Sequence, residues 1–185
     1  MAEFLSTERH PRFARPYGEL YFEPMAQLID FLGANGFTVY IVSGSQQGFT
    51  RTFAHRVLGL PPERAVGHAV ELDFSVQDGK ASLLRQDAFL APSIDGGGKA
   101  EVIRQRFGRR PILAFGNSMG DFEMLQYATI GDGPGLALIL VHDDEDEYVY
   151  RNTELEKHAD ELGWLKVSMQ DDFETLFPAT VSSAP

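Results

Sequence analysis

The chain has 185 residues, within the ~100–200 expected of one domain, and can bury a core without disulfide or metal staples. Its 16 Lys and Arg against 27 Asp and Glu leave a net charge of −11, which repels phosphate polyanions and excludes general nucleic-acid binding. Cysteine is absent, which removes disulfides, thiolate metal sites and thiol nucleophiles, while the longest oily run, Leu136 to Val141, falls well short of the ~18–20 residues of a membrane span. The expectation is a soluble, cytoplasmic, single-domain protein with no membrane partner.

Met25, Leu28, Ile29 and Leu32 recur at helical spacing behind Pro24, which suits a first helical turn, so a helix is expected from Pro24 to Ala34. Phe37 to Val42 is a β-branched and aromatic run that stops at Ser43-Gly44-Ser45, as a buried strand does on entering a polar turn. Phe49, Phe53 and Val57 place a helix over Gln47 to Leu58, ended by Gly59 and Pro61-Pro62. From Ala69 to Leu84 the pattern alternates about Gln77-Asp78-Gly79, which predicts a β-hairpin excursion. The loop from Ser93 to Gly98 opens a helix running to about Phe107, and Pro111 to Phe115 is a short buried strand with a Gly-rich turn after it. Then come a helix over Met119 to Tyr127, a strand over Leu136 to Val141, a polar helix over Asn152 to Leu162, an edge strand over Trp164 to Met169, and a Pro- and Ser-bearing tail.

Strands separated by helices of about a dozen residues make βαβ units, hence an α/β fold: a mostly parallel sheet with helices on both faces. Such sheets bind ligands at the carboxyl ends of their strands. Three loops leave those ends here: Ser43-Gly44-Ser45, Gly116 to Asp121, and His142-Asp143-Asp144.

Ser43 after an apolar strand (YIVSGS), Lys99 opening a helix after a Gly-rich loop (DGGGK), and Gly116 to Asp121 after a strand (FGNSMGDFEML) resemble motifs two, three and four of the haloacid dehalogenase superfamily, in its phosphoserine-phosphatase-like branch. Any one string is weak; three in the right order, at the right strand and helix ends, are specific. The resemblance runs from about His10 to Phe177 and implies a Rossmann-like three-layer sandwich. It also implies roles. Ser43 would hydrogen-bond the phosphoryl oxygen, with Gly44 beside it, and Lys99 would neutralise phosphate charge. Asn117 and Asp121 would hold Mg²⁺, Asp121 would also steady Lys99, and Ser118 would lie in the substrate-binding loop. The implied partner is a small phosphorylated molecule.

The family's first motif, an apolar strand ending in Asp-x-Asp-x-Thr, has no counterpart in this sequence, so relative to the family the single domain over residues 1–185 reads as truncated at its N-terminal end. The nearest acidic string, Asp143 to Glu147, follows the last central strand and reads as a solvated loop; His142 reads as a loop histidine. Asn117 and Asp121 together bring one formal charge to a cation that wants about six oxygen ligands, so weak divalent binding is expected. In the family the absent strand lies between the two that resemble Phe37–Val42 and Pro111–Phe115. The gap could close by pairing those two, by insertion of Glu19-Leu20-Tyr21-Phe22, or through a partner chain, and a homodimer using the aromatic segment from Phe13 to Phe22 is expected. Two functions follow: a phosphate-ester hydrolase in which a metal-activated or base-activated water replaces the aspartate, or a non-catalytic pseudo-phosphatase that binds phosphate or a protein.

Overall fold

The apolar runs become strands only where a partner strand reaches them. The computed structural model describes residues 2–179; the Ser-bearing end of the tail lies outside them. Helix α1 (Ala2–Thr7) and a 3-10 turn at Tyr17–Glu19 precede α2 (Glu23–Ala34), which carries Pro24 in its first turn. There follow β1 (Ile41–Gln46), α3 (Gln47–Arg56), β2 (Ala65–His68), β3 (Val70–Gln77), β4 (Lys80–Phe89), α4 (Gly97–Phe107), β5 (Leu113–Gly116), α5 (Phe122–Thr129), β6 (Leu136–Val141), α6 (Thr153–Leu162), β7 (Leu165–Ser168) and α7 (Met169–Asp172). The fold is α/β and Rossmann-like, mostly parallel in its pairing, with one antiparallel excursion.

Strand β1 starts later and ends later than its apolar run. The ladder begins at Ile41 opposite Ala65 and Val42 opposite Val66; Pro61 and Pro62 lie just upstream of β2, and proline cannot supply ladder donors, so Phe37 to Tyr40 have no partner. Pairing resumes at Gln46 opposite His68, and Ser43-Gly44-Ser45 bulges against Gly67 alone. Gly67 permits this, because a Cβ there would lie 2.6 Å from the Ser45 carbonyl oxygen. The hairpin forms where Asp-Gly placed it: Asp78 at φ 51° and Gly79 at φ 71° adopt the left-handed pair that a two-residue turn with the twist of its strands requires.

The sheet does not close. Among the described residues β1 pairs only with β2, while β5, β6 and β7 form a second parallel ladder with β7 at its edge. Neither intramolecular way of filling the gap is realised, for β1 and β5 share no ladder and the Glu19–Phe22 segment runs as the end of a 3-10 turn into the start of α2. Side-chain packing bridges the place where a ladder is lacking, with Val42 of β1 set against the cluster of β5 and β6. Ile41, Val42, Leu113 and Phe115 are half-buried and α2 contains no buried residue.

The aromatic N-terminal segment packs on its own chain. Phe13 lies edge-on to Tyr148 at 5.8 Å and to Phe177 at 5.1 Å, and Phe22 contacts His142 at 5.7 Å. The reason is long-range: the C-terminal Phe173 and Phe177 return to cover these rings, a contact that no local pattern announces.

Three apolar clusters hold the elements together. The largest joins Ala114, Ala137, Ile139 and Val141 of β5 and β6 to Leu125 of α5, Leu155 of α6, Trp164 and Ile103 of α4. A second packs Ala54 and Leu60 on Ala65 of β2, and a third joins Val66 and Ile94 to Val102 of α4. Helix α4 therefore serves both half-sheets through adjacent residues, Val102 facing one cluster and Ile103 the other.

Candidate functional site

Lys99 sits in the first turn of α4, where a cation opposes the helix dipole, and it is only 8% exposed. Burying an ammonium is costly unless it is paired. Its partner is Asp121, itself 6% exposed, whose Oδ1 lies 2.5 Å from Lys99 Nζ. The other oxygen, Oδ2, accepts from the backbone N–H of Asn117 at 2.9 Å and of Ser118 at 3.1 Å, and from the Ser118 hydroxyl at 3.3 Å. The two carboxylate oxygens thus divide their roles, since one holds the lysine and the other folds the loop after β5.

Glycines make this approach possible. A Cβ on Gly116 would fall 2.4 Å from the Asp121 Cβ, and one on Gly98 would fall 1.7 Å from the Ser93 carbonyl oxygen. The loop before α4 also ties the strand ends together. The Gly96 N–H donates to the Gly120 carbonyl at 3.0 Å, and on its other side Gly44 lies so close to Ile94 that an added Cβ would meet the Ile94 carbonyl oxygen at 3.2 Å.

A second layer extends from Asn117. Its Nδ2 lies 3.1 Å from His142 Nε2, and His142 Nδ1 lies 3.3 Å from Glu147 Oε2, which also accepts the Tyr148 N–H at 2.7 Å. With the Asn117 amide donating, His142 accepts at Nε2 and gives its Nδ1 proton to Glu147. The chain Lys99–Asp121–Asn117–His142–Glu147 is continuous. His142 is thus the satisfied loop histidine expected at the end of its strand, while Glu147 departs from the solvated run by pairing with it. Their pairing depends on the return of the chain, where the Tyr150 N–H bonds the His142 carbonyl at 2.8 Å.

Asp143 and Asp144 of the acidic run are engaged as well. Asp143 accepts from the Ser168 hydroxyl at 2.8 Å and the Gln170 N–H at 3.1 Å, and Asp144 accepts from the Asp146 N–H at 2.8 Å. Burial would raise the Asp143 pKa, but these bonds outweigh it and hold the carboxyl below its ordinary value.

Lys99, Asn117, Ser118 and Asp121 are thus brought together. Ser43 and Gly44 stand on β1, which shares no ladder with β5 among the described residues. The Ser43 hydroxyl oxygen accepts the Ser45 N–H at 3.1 Å, and among the described residues it makes no hydrogen bond to Lys99 or Asp121.

The donor set does not fit a divalent cation. Among the described residues no group of three or more His, Cys, Asp or Glu converges on a metal position, and the expected ligand Asp121 already has an ammonium on one oxygen and three donors on the other.

A family model described as haloacid dehalogenase-like hydrolase matches residues 2–126. No curated protein matches the chain. The match spans more than half of the sequence, and the chain belongs to that family.

Proposed function

We infer that this haloacid dehalogenase-like hydrolase cleaves a phosphate ester of a small molecule, binding it through Ser43, Gly44, Lys99, Asn117 and Ser118, with Lys99, Ser43 and Asp121 supporting the chemistry. The observation that carries this reading is the buried Lys99–Asp121 pair at the carboxyl end of parallel strands, where α/β sheets take their ligands. The motif order favours the phosphoserine-phosphatase-like branch.

Phosphoryl transfer passes through a loose transition state with charge spread over the equatorial oxygens, so positioning and electrostatics do most of the work. The Lys99 ammonium opposes that charge and the Ser43 hydroxyl donates to a phosphoryl oxygen. Asp121 acts through Lys99 and is a positioning residue. Asn117, held by His142, orders the loop. In the overall step a water oxygen bonds to phosphorus, the ester P–O bond breaks, and the proton lost by water ends on the departing alcohol. The Asp-x-Asp-x-Thr string is absent from these 185 residues, so attack is assigned to water rather than to a side chain. Family members use Mg²⁺; given the donor set, only weak divalent binding is proposed here and no step is routed through it.

A second reading, a phosphate-binding pseudo-phosphatase, is favoured by one observation: both Asp121 oxygens are engaged, so this carboxylate is not free to act as a base. Turnover of an aryl phosphate by rigorously purified protein separates the two. The hydrolase reading expects Lys99→Ala and Asp121→Ala each to lower kcat/KM by at least ~10²-fold; turnover that is absent, or unchanged in both variants, supports the pseudo-phosphatase.

The proposed setting is cytoplasmic, supported by the lack of cysteine; among the described residues no helix is long and apolar enough to cross a membrane. The proposed assembly is a homodimer, for which the half-buried aromatic segment from Phe13 to Phe22 and the hairpin both offer apolar surface. On one face of β3 and β4, Leu72, Phe74, Val76 and Leu83 are 53%, 70%, 60% and 63% exposed. That is a continuous apolar stripe of the kind partners cover.

A further inference from the structure

Three arginines converge at one place where, among the described residues, no carboxylate pairs with any of them. Arg51 of α3, Arg64 before β2 and Arg106 at the end of α4 line one cavity of about 560 Å³, together with Thr38, Tyr40 and Phe107. The only carboxylate in the lining is Glu63. Among the described residues none of the three guanidiniums makes an ion pair or a side-chain hydrogen bond. This is unexpected for a chain with 27 acids to 16 bases, in which an arginine has more opposite than like charges to meet. Grouping three cations against one anion leaves a local positive field on an otherwise negative molecule, and such a field selects anions.

The cavity is also shaped for more than a bare ion. Its volume lies in the range of sites for whole small molecules, roughly 300–1,000 Å³. One wall is aromatic, with Tyr40 lying on Phe107 at a ring separation of 3.9 Å and Tyr40 still 40% exposed. The floor is rigid, because the Gln47 side chain bonds the Ala65 carbonyl at 2.9 Å and the Gly67 N–H at 3.2 Å, so the cavity rests on the edge of β2. Guanidinium forks match phosphate oxygens two at a time, and an arginine–aromatic surface accepts a planar ring by stacking.

We propose that this cavity is a second ligand site, separate from the Lys99 cluster, for a ring-bearing organic phosphate with two or more negative charges. The two sites share α4, with Lys99 near its start and Arg106 and Phe107 at its end, about 10 Å along the axis at 1.5 Å per residue. A ligand clasped at the far end would therefore bear on the helix that positions Lys99. The site does not depend on the hydrolase reading, since none of its residues belongs to the proposed catalytic cluster.

Calorimetric titration of the full chain with ADP, inorganic pyrophosphate and adenosine tests it, each probe supplying charge with ring, charge alone or ring alone. ADP should bind with Kd below ~1 mM, pyrophosphate at least ~10-fold more weakly, and adenosine not measurably. The exposed-residue variant Arg51→Ala/Arg106→Ala should weaken ADP at least ~10-fold with little change in melting, Tyr40→Leu should bring ADP down to the level of pyrophosphate, and Lys99→Ala should leave ADP binding in place. No ADP binding at ~5 mM, unchanged affinity in the double arginine variant or in Tyr40→Leu, or loss of binding in Lys99→Ala would each overturn the assignment; the last outcome would send the ligand to the Lys99 cluster instead.

Discussion

Lys99 Nζ and Asp121 Oδ1 are 2.5 Å apart, with their side chains 10% and 8% exposed. A buried pair of this kind is weak evidence for net stability, yet removing one member strands the other in a poor solvent. Asp121→Ala should therefore destabilise by about 3–5 kcal/mol, and the loss should be partly restored in Lys99→Met/Asp121→Leu. Denaturant unfolding of the three proteins measures this. A double variant no more stable than Asp121→Ala would show that the two groups are not coupled. Gly116→Ala should act through the same contact, costing about 1–3 kcal/mol by overpacking, because its Cβ would press on Asp121 at 2.4 Å.

Magnesium should stabilise the protein only at high concentration. With a millimolar Kd, ~10 µM leaves the melting curve unmoved and ~10 mM adds about 1–2 kcal/mol. A scan of melting temperature against Mg²⁺ decides it, and a clear upward shift at micromolar metal would mean that a fuller set of carboxylates assembles than the described residues contain.

Asp143 should give the protein an acid-sensitive latch. Its pKa is lower folded than unfolded, because the bonds from Ser168 and Gln170 outweigh the effect of burial. Its contribution is therefore fully present above the ordinary aspartate value of ~3.9 and fades as pH falls through the lower folded value. Stability measured from about pH 6 down to about pH 2 should fall less steeply below ~4 in Asp143→Asn than in the parent. Parallel curves would exclude the latch.

The hairpin stripe should hold the proposed dimer. Sedimentation at micromolar concentration is expected to show two copies, and Phe74→Glu should give a monomer, because a charge would then occupy the most exposed large apolar position on β3. A parent protein that sediments as a monomer ends the proposal.

Much of the fold is legible where the determining physics is local. Asp78-Gly79 announces its turn because few other residues tolerate two consecutive left-handed positions, and Leu136 to Val141 becomes β6 over the bounds that its apolar run marks. The bounds of β1 are not legible, since they depend on where a different strand begins. Of the site, Lys99 and Asp121 can be read from motif spacing and are found in contact, whereas the His142–Glu147 pair depends on a loop that returns to bond at Tyr150. Arg51, Arg64 and Arg106 are scattered over 55 positions of the numbering, and nothing in their local sequence predicts a common cavity.

The break in pairing between β1 and β5 bears on how the molecule comes apart. Backbone ladders transmit strain along a sheet, and among the described residues none crosses the middle. The half carrying β1, β2 and α3 and the half carrying β5, β6 and β7 each have an apolar cluster, so side chains rather than backbone bonds hold them to each other. Val102 and Ile103 of α4 face one cluster each, Val42 of β1 packs against the cluster of the other half, and the loop before α4 adds the Gly96–Gly120 bond. Helix α4 and its preceding loop are thus a shared joint, and loosening them takes packing from both halves at once.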